Sequence, residues 1–583
     1  MSDFKTFKFN SFDNYAIHYK KWSSSKPTQK SVIILHRGHE HSGRVSHVVD
    51  ELRAMGLDHN YYAWDARGHG LNEGARGFAD NFGVLLYDLE LFVKDLEKNH
   101  GLDLTQTVII AQSVGAVIAS AWVHDYAPKI RGLVLASPAF SVKLYVPLAV
   151  PSLKLGLLFK PVFFVNSYVK SRFLTHDVER QKSYDSDPLV TKAIAVNILV
   201  QLYETANRVV KDAAVIKNPC LLLISEKDFV VRKEPQVEFF NNLGSETKKM
   251  VDLKGFFHDT LGEKDRGIAF QEIKKFIDDL HSKPLWSSNE LSNDKRGPSF
   301  EEFEALKRPS SFPLNFTEYI SKLSLKVGSK LSKGLSIGQE HGYDSGVMLD
   351  HVYKNEPQGV SFIGRIIDRL YLDAIGWRGI RIRGASLSSL LAKSMEAQRQ
   401  KYSSVKILDV ASGPGRYVLN SLKRVMHPRD RAVLQDFMPV NVETAKRLIE
   451  EFNMQTVVTA RQGDCFDRST YESLDFDPNI AITSGIFELF SDNGQVLGAL
   501  SAIHDKLAPE GLILYTNQPW HPQLRFIAKV LTSHKGQSAW VMRRRSQAEM
   551  DQLVETAGFK KIQQLSDQWG IFTVSVAVKK SKH

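Results

Sequence analysis

Residues Val108–Gly115 read Val-Ile-Ile-Ala-Gln-Ser-Val-Gly, and this stretch constrains the fold more than any other. A β-branched apolar run ends at Gln112. Small residues, Ala111 and Gly115, flank Ser113 two positions away on either side, and a helix-compatible stretch, Ala116–Trp122, follows. A strand that turns straight into a helix leaves no room for bulk beside the turn residue, so small neighbours are required. Such a turn holds a serine Oγ above the sheet edge, with a helix N-terminus behind it. The surrounding pattern agrees. Residues 4–22 alternate like a hairpin, apolar strands are predicted at 31–35, 61–64, 107–111, 131–136 and 220–225, and helices at 45–55 and 81–98 fall between them. Continuous apolar strands alternating with helices predict a parallel sheet covered on both faces, an α/β fold. Residues 139–205 break the alternation with apolar, proline-punctuated, mostly helical sequence, which reads as a cap inserted over the sheet edge.

A chain of 583 residues is long enough for more than one domain. Its two cysteines, Cys220 and Cys465, exclude a disulfide framework and favour a reducing compartment, and no Cys/His cluster has zinc spacing, so no metal is expected. The first residues, Met-Ser-Asp-Phe-Lys-Thr, hold no apolar signal core, so a cytoplasmic location is expected. No apolar run reaches the roughly 18 residues of a spanning helix. The nearest, Ala139–Val165, is broken by Lys143, Lys154, Lys160, Pro147, Pro151 and Pro161. The net charge of +11 fits a soluble basic protein or one drawn to anionic lipid, and the basic, apolar cap suits peripheral contact at the inner membrane surface. The basic residues are scattered, so no nucleic acid is expected as a partner. Arg543-Arg544-Arg545 is the exception, either an anion site or a solvated helix start. The oligomeric state is open.

A serine nucleophile needs a base, and the base needs an orienting acid. Cys220–Asp228 ends a late strand with two acids. Asp228 is the better placed, because the loop needs a few residues to swing back, and Glu226 is the alternative. One strand later, Lys249–His258 delivers His258. The oxyanion hole is expected from the backbone N–H of Val114 and of Gly38, in the loop after Ser31–Leu35. His36, His39, His41 and His69 are read as structural.

Three stretches now carry a resemblance: His36-Arg-Gly-His-Glu-His-Ser-Gly-Arg44, Asp65-Ala-Arg-Gly-His-Gly-Leu-Asn-Glu-Gly-Ala-Arg76 and Asp187-Pro-Leu. They resemble monoacylglycerol lipases and related lysophospholipase-like α/β hydrolases, over roughly residues 12–280. The resemblance implies an ester hydrolase acting on a single-chain lipid ester, a monoacylglycerol or lysophospholipid, under an apolar cap. Peptides or small esters remain the alternative substrates. Two departures stand out: Ala111 replaces the first glycine of the elbow, and Arg37 replaces a glycine, either favouring an anionic head group or pointing away.

Residues 283–335 are rich in Ser, Lys, Asn and Pro and read as a linker between a domain at 1–282 and another at 336–583, with Ser-Phe-Glu-Glu-Phe-Glu-Ala-Leu as a short docking helix. A second alternation then runs from helices near 361–375 and 385–399 to a β-rich tail at Trp569–Val578. Lys406-Ile-Leu-Asp-Val-Ala-Ser-Gly-Pro-Gly415 ends a strand and opens a helix, with glycines that let backbone approach a bound cofactor. Asp409 precedes the loop and only Gly413 and Gly415 are glycine, which departs from the dinucleotide pattern. The loop resembles the first motif of Rossmann-like class I S-adenosylmethionine-dependent methyltransferases. That resemblance implies cofactor roles for Asp409, Ala411, Gly413 and Gly415, for Asp436 on the ribose, for Asp464 near the adenine, and for Ser484 after the fourth strand. Thr483-Ser-Gly-Ile-Phe487 lacks the Asn/Asp-Pro-Pro signature, which disfavours amino-methylation of bases. Tyr515, Gln518, Trp520 and His521 are candidates to line an acceptor pocket, beside the plainer reading of a packed loop. Tyr371–Ile380, Ser412–Tyr417, Gln518–Gln523 and Trp540–Arg545 together resemble a bacterial methyltransferase family that occurs fused to such hydrolases. The expectation is a bifunctional enzyme; the alternative is one silent half serving as a binding domain.

Overall fold

The computed structural model describes residues 3–580 apart from 147, 168 and 535–537. Pro147, one of the breaks in the cap's apolar run, therefore lies outside the described residues. The chain forms two compact units, Met1–Ser288 and Asn289–His583.

The first unit is built on an eight-stranded sheet. Its strands are β1 (Lys5–Asn10), β2 (Ala16–Trp22), β3 (Ser31–Leu35), β4 (Asn60–Trp64), β5 (Thr107–Gln112), β6 (Gly132–Ala136), β9 (Cys220–Ser225) and β10 (Lys248–Leu253), in the order β1-β2-β4-β3-β5-β6-β9-β10. β1–β2 and β2–β4 pair antiparallel, and the pairings from β4–β3 through β9–β10 are parallel. The apolar strands are buried on both faces, so alternate residues feed separate cores. Ile33, Leu35, Ile109 and Leu133 enter one, and Val32, Ile34, Val108 and Val134 enter the other. Between β6 and β9 the chain leaves the sheet as the cap. It comprises the helix Ala149–Phe159, a two-stranded ribbon of β7 (Phe164–Asn166) and β8 (Ala193–Ala195), and the helices Val178–Ser186 and Val196–Lys211.

The second unit has seven strands: β11 (Lys406–Asp409), β12 (Arg431–Asp436), β13 (Val458–Gln462), β14 (Ile480–Thr483), β15 (Leu512–Asn517), β16 (Phe559–Ser566) and β17 (Thr573–Lys579). Their order is β13-β12-β11-β14-β15-β17-β16, with β17 antiparallel to both neighbours. The order reverses between β11 and β14, which opens a crevice at their carboxyl ends, where such sheets bind ligands. Residues 283–335 are not an open linker. Helices span Pro298–Lys307 and Leu314–Gly328, and Leu306 is buried in the same core as Tyr343 and Trp377. Four more helices, Lys333–His341, Gly346–Lys354, Phe362–Leu372 and Ile375–Arg399, lead into β11.

Candidate active sites in the two units

Ser113 sits between β5 and the helix Val114–Tyr126 with φ 55° and ψ −116°, a left-handed strain that a non-glycine residue adopts only where the surroundings enforce it. The crowding is specific. A Cβ on Gly115 would lie 2.5 Å from the His36 carbonyl oxygen, whereas Ala111 is accommodated in the buried strand. The Ser113 Oγ–H donates to His258 Nε2 at 2.8 Å, and His258 Nδ1–H donates to Asp228 Oδ2 at 2.8 Å. The other Asp228 oxygen accepts the backbone N–H groups of Val230 (2.7 Å) and Val231 (2.9 Å). Burial pushes this carboxyl up, but the His258 charge and hydrogen bond, with the two backbone donors, outweigh it and hold it below the usual range. Glu226, the alternative acid, is exposed and bound to Lys254 and the Gly255 N–H. A Cβ on Gly38 would lie 3.0 Å from Val114 Cγ2, so the residues of the two expected oxyanion donors are packed against each other. Beside them is a small apolar pocket of about 60 Å³ lined by Val114, Ile118, Phe78, Ile194 and Ile198.

Arg37 is among the residues lining this pocket, and its guanidinium is held by a carboxylate and a cap ring. It is buried, donates to Glu40 Oε1 at 2.8 Å and lies 5.0 Å from the Tyr184 ring, which the cap supplies. This belongs to a buried ion network that sequence reasoning missed. Glu40 also accepts from Arg44 at 2.5 Å, Arg44 reaches Ser183 at 3.0 Å, and cap residue Arg180 is ion-paired with Asp259, the neighbour of His258. Burial raises the Asp259 carboxyl, yet Arg180 and Arg37 hold it far below the usual range. The only sequence signal was the charge-rich 36–44 loop. His36 Nε2 accepts the Ala66 N–H at 3.0 Å, His69 Nδ1 meets Arg67 O at 2.9 Å, and His41 Nε2 meets Asp187 at 3.0 Å. Burial lowers His39 to about 4.

In the second unit, a cavity of about 590 Å³ opens at the carboxyl ends of β11, β12 and β14. Ala411, Gly413, Gly415, Asp436, Asp464 and Ser484 all line it. Gly413 and Gly415 take φ values of 55° and 76°, which turn the loop back toward the strand. Asp436 Oδ2 accepts the Gly413 N–H at 2.8 Å, and Oδ1 accepts from Met438 N and Asn441 Nδ2, both at 2.9 Å. Asp464 Oδ1 accepts the Phe466 N–H at 2.9 Å. Glycine-rich backbone, a carboxylate on the next strand and an apolar wall containing Phe437 and Met438 fit a nucleoside-bearing cofactor.

Asp409 is a correction. It does not line the cavity; it lies beneath the loop and accepts from Tyr417 Oη at 2.5 Å. Burial raises it, opposed by the Tyr417 bond and reinforced by the Asp436 charge, to about 7. Asp344, Ser345, Gly346 and Asp350, from the helical extension, also face the cavity and were missed. They fall in a polar stretch without a strand–turn signature.

A second cavity of about 260 Å³ shares Asp344, Leu349, Arg383, Gly485 and Leu489 with the first. Gln518 and His521 line it. Tyr515 does not, being buried with its hydroxyl 3.2 Å from Asp551, and Trp520 instead lies 5.8 Å from Arg544. Arg543, Arg544 and Arg545 are neither an anion site nor a solvated helix start. All three are buried. Arg543 donates to Glu549 at 2.6 Å, Arg544 pairs with Glu302, and Arg545 donates to the carbonyls of Phe487 (2.6 Å) and Phe490 (2.7 Å). No helix among the described residues is long and apolar enough to cross a membrane.

Comparison with known proteins follows the same division. Residues 273–579 match the family described as "Putative methyltransferase", and residues 26–265 match "Serine aminopeptidase, S33". The chain is 46% identical over 576 residues to the Escherichia coli (strain K12) protein called "Uncharacterized protein YnbC", covering 98% of each. The first unit alone is similar to "Phospholipase YtpA" of Bacillus subtilis (24% identity, 44% of this chain, 98% of that protein). It is similar also to the human "Monoglyceride lipase" (27% identity, 42% of this chain, 80% of that protein).

Proposed function

Because the chain belongs to this methyltransferase family and carries an α/β-hydrolase unit ahead of it, we propose a bifunctional enzyme: a serine ester hydrolase for monoacylglycerol or lysophospholipid, joined to an S-adenosylmethionine-dependent methyltransferase. The observation that carries the first half is the Ser113–His258–Asp228 relay, closed by two 2.8 Å hydrogen bonds. In this reading Ser113 Oγ attacks the acyl carbonyl while His258 takes its proton, and Asp228 holds the ring and stabilises its charge. The Gly38 and Val114 N–H groups receive the oxyanion. His258 then protonates the leaving alkoxide and activates the water that clears acyl-Ser113. The relatives named as a phospholipase and a monoglyceride lipase support a single-chain lipid ester over a peptide.

For the second half, backbone at Ala411, Gly413 and Gly415 would cradle the cofactor, Asp436 would accept from its ribose hydroxyls, Asp464 would border the adenine, and Ser484 would sit near the methyl. When bound, S-adenosylmethionine supplies an electrophilic methyl group. We place the protein in the cytoplasm, with the cap touching the inner membrane surface and no nucleic-acid partner. Tyr145, Val146, Leu148, Leu155, Leu158 and Phe159 of the cap are exposed beside Lys154 and Lys160, a combination suited to anionic lipid.

The test is fluorophosphonate labelling of the full chain and of Ser113→Ala, with monoacylglycerol and lysophospholipid turnover, alongside calorimetric titration with S-adenosylmethionine. Labelling and turnover that vanish in Ser113→Ala support the hydrolase. An unlabelled parent chain makes that unit a silent binding domain. An absent titration heat refutes the second half.

A further inference from the structure

The 260 Å³ cavity adjoining the cofactor cavity holds a set of polar groups that the fold leaves without partners. Gln518, Trp540 and Arg383 are among the residues that line it, and Gln518 Nε2, Trp540 Nε1 and Arg383 Nε, buried just behind the wall, have no hydrogen-bond partner among the described residues. All three are donors. A buried, unpaired donor costs on the order of 1–3 kcal/mol, so three around one cavity point to a ligand that brings acceptors. His521 adds a fourth. Its Nδ1 accepts the Gln523 N–H at 3.0 Å and burial holds the ring neutral, with its pKa lowered to about 4. The remaining ring proton therefore sits on Nε2, which is a donor and not a base.

The two carboxylates in the lining have partners. Asp344 takes Ser533 Oγ (2.7 Å) and the His534 N–H (2.6 Å), and Glu488 faces Arg383 at 3.4 Å. The rest of the wall is apolar, including Trp377, Ile380, Ile527 and Phe572. Phe526 lines the cavity yet remains 40% exposed, so the cavity opens to the surface.

We propose that this cavity binds the methyl acceptor, and that the acceptor is an apolar carboxylic acid held through its carboxylate oxygens. The proposal rests on the methyltransferase reading above and names its substrate class. A protonated amine would bring more donors to a wall of donors. A phenol or alcohol would need a base, and neither the Nε2–H form of His521 nor the Arg383-paired Glu488 is a good one. A carboxylate needs none. One of its oxygens forms the new O–CH3 bond as the methyl's bond to sulfur breaks. The electron pair stays on sulfur, and no proton leaves. The products are a methyl ester and the neutral thioether. Arg383 lines both cavities and stands, paired with Glu488, at their junction. A carboxylic acid with an apolar tail is also the class of product that ester hydrolysis by the first unit releases, so the second unit would consume what the first makes.

The experiment uses the full chain saturated with S-adenosylhomocysteine, whose binding is measured first. Sodium dodecanoate, dodecylamine and dodecanol are titrated while tryptophan fluorescence is followed, in the parent, Gln518→Leu and Trp540→Phe. Dodecanoate also meets the hydrolase unit, and that contribution cancels between parent and Gln518→Leu. The expected result is saturable binding of dodecanoate, weakened about tenfold or more by Gln518→Leu. With labelled S-adenosylmethionine, methyl dodecanoate is the expected product by mass spectrometry. Dodecanoate binding unchanged in both variants, or preference for the amine or alcohol, overturns the proposal while leaving the methyltransferase reading intact. If S-adenosylhomocysteine and S-adenosylmethionine both fail to bind, the parent reading has failed instead.

Discussion

Replacing Asp228 by Asn should silence the hydrolase by changing where a proton sits. One Asp228 oxygen accepts two backbone N–H groups, from Val230 at 2.7 Å and Val231 at 2.9 Å, and the other accepts His258 Nδ1–H at 2.8 Å. An amide has one acceptor and one donor end. Its oxygen must stay with the two backbone donors, since an NH2 there would leave both unpaired in a buried site and cost on the order of 1–3 kcal/mol each. The NH2 then faces His258 Nδ1, which must become an acceptor. The imidazole proton moves to Nε2, the nitrogen that must take the proton of Ser113. The nucleophile loses its base without loss of packing. The expected cost is a fall of about 10³–10⁴ in kcat/KM, or about 4–5.5 kcal/mol of transition-state stabilisation. The assay is the rate of fluorophosphonate labelling and of monoacylglycerol turnover against pH, with the melting temperature as a check on folding. Labelling by Asp228→Asn within tenfold of the parent, while Ser113→Ala is unlabelled, would refute the reasoning and point to another acid.

Three further expectations follow from the same geometry. Asp409, raised to about 7 from 3.8, keeps in the folded state a proton that the unfolded chain releases, so its contribution to stability is greatest below about pH 4 and is lost as pH rises toward 7. Asp409→Asn should flatten that slope in urea titrations at pH 5 and 8, by at most about 3 kcal/mol for the two units between pH 5 and 7, and an unchanged slope would refute it. Arg180→Met leaves Asp259 buried beside His258 without its main partner, so a loss of about 3–5 kcal/mol in urea unfolding and slower labelling of Ser113 are expected; an unchanged midpoint would show the pair to be dispensable. Leu158→Glu with Phe159→Glu should weaken binding to anionic vesicles about thirtyfold or more in co-sedimentation, since two exposed apolar anchors are lost, and equal binding would remove the cap from the membrane interface.

Features made of adjacent residues were legible in the sequence. The elbow at Ser113, the glycine-bearing loop at Gly413–Gly415 and the apolar strands are local: one turn or one run contains the physics. Asp228 over Glu226 was also legible, because it follows from how many residues a loop needs to return. What was hidden depends on partners far along the chain. Arg543–Arg545 read as a surface cluster because Glu549, Asn493 and Glu302 lie elsewhere in the sequence. Arg37 was ambiguous because Tyr184, which covers it, comes from the cap. Asp409 looked like a cofactor ligand because its place in the motif is right, while the hydroxyl that engages it is eight residues on, at Tyr417. The helix Pro298–Lys307 was masked by composition, since a few apolar residues such as Leu306 suffice to pack a helix whose other residues are polar.

The cap is anchored unevenly, and that has a consequence for how such an enzyme diversifies. Its helix Val178–Ser186 is tied through Arg180 to the residue beside His258, and through Ser183 and Tyr184 to the 36–44 loop. The helix Ala149–Phe159 buries none of its side chains. Substitutions, insertions or exchanges within 149–159 therefore leave the relay undisturbed, whereas changes in 178–186 reach His258 through a single residue, Asp259. One half of the cap is free to drift in sequence, and the other is held to the residues around His258.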